Sequence, residues 1–379
     1  MIVRTRTWHN PPNGRASPCG GPVELSDPVS VRARRALILL ALAALLAGGA
    51  ARADAATAVF YYPWYGTEAR DGSYLHWRQH RRLPPFDIAS NFYPLRGPYS
   101  SGDPRIVSAQ MSEIAGAGIG EVVTSWWGWG SLEDARLPTV ITAARAHGLR
   151  VAAHLEPYPG RTVASVGADI EHLRTLGISD FYVYQPLDFT AEEWAPLLAR
   201  LDGVRVFAQT GLAGFAASAG FDGVYTYDVL RFGGGSFARF CAAAHRLRLL
   251  CAPSVGPGYV ASRATEDERM KPRRRGKTYD AMWRAALRAG ADEVTVTSYN
   301  EWNEGTQIEP ASSDPPMLGY LSYDGAYGLH GTAASLAYVT RTACWVAVSS
   351  GALVERNSTF STRRSGFGSR AARACTSVF

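Results

Sequence analysis

The chain has 379 residues, 46% of them hydrophobic and 19% charged, with 38 Gly and 22 Pro. That composition describes a globular protein with a large core and many turns, and it excludes collagen-like, coiled-coil and disordered classes. The net charge of +6 sits at the ends, +4 in residues 1–55 and +4 in 348–379 against −2 in 56–347, so the body has no electrostatic footprint for nucleic acid.

In chain order, residues 1–30 form a Pro-, Gly- and Arg-rich extension ahead of an expected translation start near Val29 or Val31. Basic Val31–Arg35, the apolar run Ala36–Ala47 and Ala51-Arg52-Ala53 have the layout of a secretory signal, so residues 31–55 are expected to be a signal peptide. The apolar run is 12 residues long. It falls short of the ~20 that span a bilayer, so no stable membrane span is expected after processing.

Strand-like runs follow at Ala58–Tyr65, Glu121–Trp127, Arg150–Glu156, Asp180–Tyr184, Arg205–Gln209, Gly223–Tyr227, Leu249–Ser254 and Glu293–Tyr299. Helix-like runs alternate with them at Pro104–Ala117, Leu132–His147, Val163–Leu176, Glu192–Leu201, Phe215–Ala219, Phe237–Arg248, Tyr279–Ala289 and His330–Val346. Gly118, Gly148, Gly177 and Gly290 stand where helices end. Eight such units over residues 56–347 predict a single (β/α)8 barrel, with a doubly wound sheet as the alternative. Cys19, Cys241, Cys251, Cys344 and Cys375 show no metal or framework spacing. Cys241 and Cys251 are read as buried thiols that could pair. Lys271–Lys277 reads as a solvated basic loop, and 348–379 as a poorly ordered basic tail.

In a barrel, chemistry sits at the C-terminal strand ends. The unusual residues are there. Tyr61-Tyr62-Pro63-Trp64-Tyr65-Gly66, Ser125-Trp126-Trp127-Gly128, His154-Leu155-Glu156-Pro157-Tyr158, Tyr225-Thr226-Tyr227-Asp228 and Ser298-Tyr299-Asn300-Glu301-Trp302-Asn303-Glu304-Gly305 close five strands. Carboxylates among Trp and Tyr suit a sugar, because aromatic faces stack on pyranose C–H faces. Two carboxyls flanking a glycosidic bond can divide acid and base work. Glu301 and Glu304 stand three apart, so a helical turn would bring them to the close spacing of a retaining enzyme. An extended segment would separate them. Acids at a helix start are the plain alternative. His154 and Glu156 alternate on one strand face; with no third ligand at a motif spacing, hydrogen bonding to substrate is expected rather than a metal.

The chain resembles glycoside hydrolase family 99, the endo-α-mannosidase and endo-α-mannanase family. The resemblance rests on Phe60–Gly66, Asp71-Gly72 with His76-Trp77, His154–Tyr158, Ser254–Tyr259 and Thr297–Pro310 (TSYNEWNEGTQIEP), spanning roughly residues 58–340. It implies a (β/α)8 barrel without a cofactor that hydrolyses internal α-mannosidic linkages with retention, through a 1,2-anhydro sugar. Carried over, Glu301 assists the substrate 2-hydroxyl and Glu304 is general acid and then base. Glu156 binds sugar hydroxyls, and Tyr62, Trp64, Tyr65, Trp126, Trp127, His154, Tyr158, Tyr227, Asn300 and Trp302 are expected around the substrate. Asn303 stands where the family usually has His, and Val260 where an acid is common. The expected partner is an α-mannoside oligosaccharide or polysaccharide, met by a secreted or periplasmic monomer. The rivals are a glycosidase of this fold on another α-linked glycan and a non-catalytic carbohydrate-binding protein.

Overall fold

In the computed structural model, which describes residues 56–356, 359–362 and 375, parallel strands form one ring. The extension and signal segment expected before residue 56 lie outside the described residues. The strands are β1 (Ala56–Tyr61), β2 (Glu121–Trp126), β3 (Arg150–Leu155), β4 (Asp180–Val183), β5 (Arg205–Gln209) and β6 (Gly223–Tyr225). They continue with β7 (Leu250–Ala252), β8 (Ser254–Val255) and, after a small hairpin of β9 (Tyr259–Val260) and β10 (Met270–Lys271), β11 (Glu293–Val296). The sheet order is β7-β6-β5-β4-β3-β2-β1-β11-β8. Pro253 alone separates β7 from β8, so the two ends of that order are halves of one strand and the ring closes. Proline has no N–H to give, and its carbonyl instead accepts from Thr295 at 3.2 Å.

Eight helices cover the ring: α1 (Pro104–Gly116), α2 (Leu132–Ala146), α3 (Val163–Thr175), α4 (Ala191–Leu198), α5 (Ala213–Ala219), α6 (Gly234–Arg246), α7 (Lys277–Arg288) and α8 (Ala337–Ser349). Local sequence starts them. Asp103 caps α1 before Pro104, Ser131 caps α2, and Thr190 with Glu193 forms a capping box on α4. All six residues of β2 are buried, as expected of a strand covered on both faces. The strands are shorter than the apolar runs predicted. Tyr62–Tyr65, Trp127, Glu156, Tyr184, Tyr227 and Thr297–Tyr299 lie beyond them, in the loops of the C-terminal face. At the opposite face, Arg150 pairs with Glu121 at 2.7 Å and Arg205 with Asp180 at 2.5 Å, closing the floor with ion pairs.

Two expectations are corrected. The segment after Val348 is not a loose tail along its described length: Leu353–Arg356 and Thr359–Thr362 form an antiparallel hairpin. Phe360 holds it by packing edge-on to Trp345 at 5.5 Å and under the Arg341 guanidinium at 4.4 Å. The four described cysteines are not free thiols but form disulfides, Cys241–Cys251 and Cys344–Cys375, and Cys19 lies outside the described residues. The first ties α6 to the strand after it; the second ties Cys375 back to α8. They close loops of 10 and 31 residues. In the loop-entropy account these contribute about 3 and about 4 kcal/mol. Reduction should therefore lower Tm, with Cys344→Ser costing more than Cys241→Ser; melts that do not respond to reductant would contradict this.

Candidate active site

The segment after β11 is a tight hydrogen-bonded turn, neither the helix start nor the extended chain weighed from sequence. Glu301 N–H donates to Ser298 Oγ at 2.8 Å, Gly305 N–H to Trp302 O at 3.3 Å and Thr306 N–H to Glu301 O at 3.4 Å. The first loop of the barrel clamps it. Asn300 accepts from Tyr62 N–H at 2.8 Å and donates to Tyr62 O at 2.9 Å, and Trp302 N–H donates to the Tyr65 hydroxyl at 2.9 Å. Asn303 donates to the carbonyls of His76 and Ala89 at 3.0 and 2.6 Å, tying the turn to that loop rather than reaching into the cleft. On the far side, Val260 N–H donates to Glu304 O at 2.9 Å.

The acids interact through their charges. Burial and then the Glu304 charge hold the Glu301 carboxyl well above the usual carboxylate range. Glu304 is pushed up to about 7, by burial first and then by Asp228, Glu156 and Asp267. The pair thus retains a proton near neutral pH. Hydrogen bonding distinguishes the two. Glu301 Oε1 accepts the Asn303 N–H at 3.1 Å, which favours the charged form, whereas among the described residues no donor bonds the Glu304 carboxyl. The two carboxyls therefore differ in setting: Glu301 has backbone donors and Glu304 has none among the described residues.

The sequence-predicted residues separate into two groups. Tyr62, Tyr227 and Glu156 gather at the pair: the two tyrosine hydroxyls bond each other, and Glu156, Glu301 and Glu304 all raise the Tyr62 pKa after burial. Glu156 accepts from Ser125 Oγ at 2.8 Å and stands 2.9 Å from His154 Nδ1, while His154 Nε2 bonds the Tyr225 hydroxyl at 2.9 Å. Trp64 is half-buried, stacked on His76 at 4.4 Å, and Trp127 is half-buried as well. The Trp127 indole N–H is buried without a partner among the described residues, whereas Trp64 meets the Tyr65 side chain.

The other group is support rather than surface. Trp126 is 0% exposed and donates to Asp134 of α2 at 2.9 Å, so it packs between β2 and its helix. Tyr65 and Trp302 are likewise fully enclosed, Trp302 donating to the buried Glu309 at 2.7 Å. Tyr158 turns to α3, its hydroxyl on Asp169 and Ser165. Asp228 and Tyr259 stand in runs noted in the sequence but were given no role there, and Tyr184 and Asp267 were not singled out. Glu304 raises the pKa of Tyr184 and Tyr259 after burial, and Asp228 and Asp267 act on Glu304. Tyr184 and Asp228 follow strand ends and were legible there; Asp267 depends on the β9–β10 hairpin, which has no period in the sequence.

A parallel barrel presenting a buried carboxyl pair among tyrosines and tryptophans at its C-terminal face has the makings of a glycoside hydrolase. The model of glycosyl hydrolase family 99 matches residues 52–350. The chain belongs to this family. It is 35% identical over 67% of its length to the zebrafish (Danio rerio) glycoprotein endo-alpha-1,2-mannosidase-like protein, covering 70% of that protein. The human (Homo sapiens) protein of the same description is 33% identical, with 70% of each chain covered. The solved GH99 endo-alpha-mannosidase from Bacteroides thetaiotaomicron superposes with a TM-score of 0.70 at 30% identity, over 77% of this chain and 97% of that one.

Burial separates the two neighbouring tryptophans. Trp126→Ala should cost about 3–5 kcal/mol of stability and leave the kinetics of the folded fraction unchanged. Trp127→Ala should raise KM with a small shift in Tm. Thermal melts paired with kinetics decide, and the reverse pattern would exchange their roles.

Proposed function

We propose that this chain is a retaining, endo-acting hydrolase of internal α-mannosidic linkages in mannan or N-glycan-type oligosaccharides. Glu304 is its general acid and then base, and Glu301 assists the substrate 2-hydroxyl. The observation that carries this is the asymmetry of the carboxyl pair: one turn holds both, with backbone donors on Glu301 and none on Glu304. A proton donor needs a pKa near the working pH, and Glu304 has one. The names and substrates of the relatives point the same way. In this reading Tyr62, Tyr227, Glu156 and the half-buried rings of Trp64 and Trp127 meet the sugar, which the shared burial of the tyrosines beside the acids supports.

Products from a panel of defined α-mannosides test this reading. Internal cleavage with initial α products is expected. Release of single mannose units, an initial β product, or binding without turnover would overturn it. The chemistry also fixes a pH dependence. Glu304 must carry its proton to donate it, so kcat/KM should fall as pH rises through about 7. A substrate with an activated leaving group should show a flatter alkaline limb; identical profiles for both would remove Glu304 from that role. We propose export as well: the layout of residues 31–55 carries it, and two disulfides support an oxidising compartment.

A further inference from the structure

The basic run Lys271–Lys277 reads as a solvated loop, yet Arg273 turns inward. Its guanidinium carbon lies 4.6 Å from the ring centroid of Phe92, 4.7 Å from Tyr323 and 4.5 Å from Tyr338. Those rings come from the loop after β1, the loop after β11 and helix α8. Nη2 donates to Gly305 O at 2.9 Å and to Gln307 O at 2.7 Å. The buried Nε and Nη1 make no hydrogen bond of good geometry among the described residues, although the side chain meets the Tyr338 hydroxyl. Poorly bonded buried donors are costly, and cation–π contact recovers only part of that cost. As plain packing the arrangement is poor. It becomes intelligible if the two carbonyls must be held.

Gly305 directly follows Glu304. The Glu304 carbonyl itself takes the Val260 N–H at 2.9 Å from the same hairpin, and a Cβ on Gly305 would lie 2.6 Å from Val260 O. The hairpin and the residue just beyond it therefore hold two successive carbonyls, one through β9 and one through Arg273. We propose that Arg273 is a positioning residue: by locking the Gly305 and Gln307 carbonyls it fixes the backbone from which the Glu304 carboxyl is aimed at the glycosidic oxygen. The role assigned to the carboxyl rests on the proposed function above. Lysine cannot replace Arg273, because a point charge lacks the planar fork that meets two carbonyls between aromatic faces.

The test compares Arg273→Lys and Arg273→Met with Glu304→Gln on two α-mannosides, one with a sugar and one with an activated aryl leaving group. Misplacing a reacting group by about 1 Å can cost on the order of 100-fold. For Arg273→Lys, kcat on the sugar leaving group should fall roughly 10- to 100-fold with KM little changed, and the aryl substrate should be largely spared. The decisive readout is whether the Arg273 variants reproduce the substrate pattern of Glu304→Gln, whatever that pattern is. Wild-type kinetics per folded molecule beside a lowered Tm, or a pattern unlike that of Glu304→Gln, would overturn the inference. If Arg273→Met fails to fold, Arg273→Lys decides it. Loss of leaving-group selectivity in Glu304→Gln itself would overturn the general-acid reading instead, so the two failures are distinguishable.

Discussion

Glu304→Gln is expected to fold normally and to lose on the order of 10²–10⁴-fold in kcat on α-mannosides whose leaving group is another sugar. The amide keeps the shape of the carboxyl but cannot donate the proton that a sugar alkoxide needs. Binding should survive, so KM should change little, and an aryl leaving group should be partly spared. Stability moves the other way. The folded-state pKa of Glu304 is raised from 4.5 to about 7, so its contribution to stability is fully present below pH 4.5 and is lost as pH rises towards 7. Glutamine carries no such penalty, so Tm at neutral pH should hold or rise. A variant that loses activity and Tm together would mean Glu304 is structural, and equal loss on both substrates would mean it is not the proton donor.

The architecture was legible because each barrel unit carries its own local signals. Asp103-Pro104, Ser131 and Thr190 with Glu193 start helices through side chains that satisfy exposed N–H groups, and these are one-residue facts that a sequence displays. What stayed hidden depends on distant partners. Residues 348–379 look like a tail because Ser, Arg and Ala have no period, but Phe360 is ordered by Arg341 and Trp345 on another element. Cysteine pairing is equally non-local: Cys344 and Cys375 are 31 residues apart, and only the fold brings them together.

The acids and the aromatics of this face stood alike as candidates in the sequence, and burial separates the aromatics. Glu301, Glu304 and Glu156 announce themselves because a carboxyl at the end of a barrel strand has little structural reason to be there. Trp and Tyr give no such discrimination, since the same ring serves a core or a cleft. Alternation along β2 put Trp126 against α2, with its indole N–H on Asp134 at 2.9 Å, while Trp127 beside it is only half-buried. Trp302 likewise turned away, to Glu309 at 2.7 Å. Sequence position identified the face of the barrel; only the backbone decides which side of that face a ring occupies. Asn303 shows the same limit: its amide donates to the His76 and Ala89 carbonyls, so it clamps the turn.

A substrate with hydrogen in place of its 2-hydroxyl is expected to bind and then turn over at least on the order of 10²–10⁴-fold more slowly. The bound is a minimum, because the change removes the internal nucleophile itself and not only the base that helps it. Glu301 is suited to that base role by its setting: backbone N–H groups of Asn303 and Glu304 favour its charged form, while burial and the neighbouring Glu304 keep that charge energetically dear and hence basic. Glu301→Gln should match the deoxy substrate in direction and leave binding intact. A direct nucleophile would behave differently, for a 2-fluoro sugar with an activated leaving group would then accumulate as an ester on Glu301. Mass spectrometry of the intact protein and of its peptides reads that ester. Its appearance, or an undiminished rate on the deoxy substrate, would move Glu301 from base to nucleophile and leave retention standing, because both routes displace twice at the anomeric carbon.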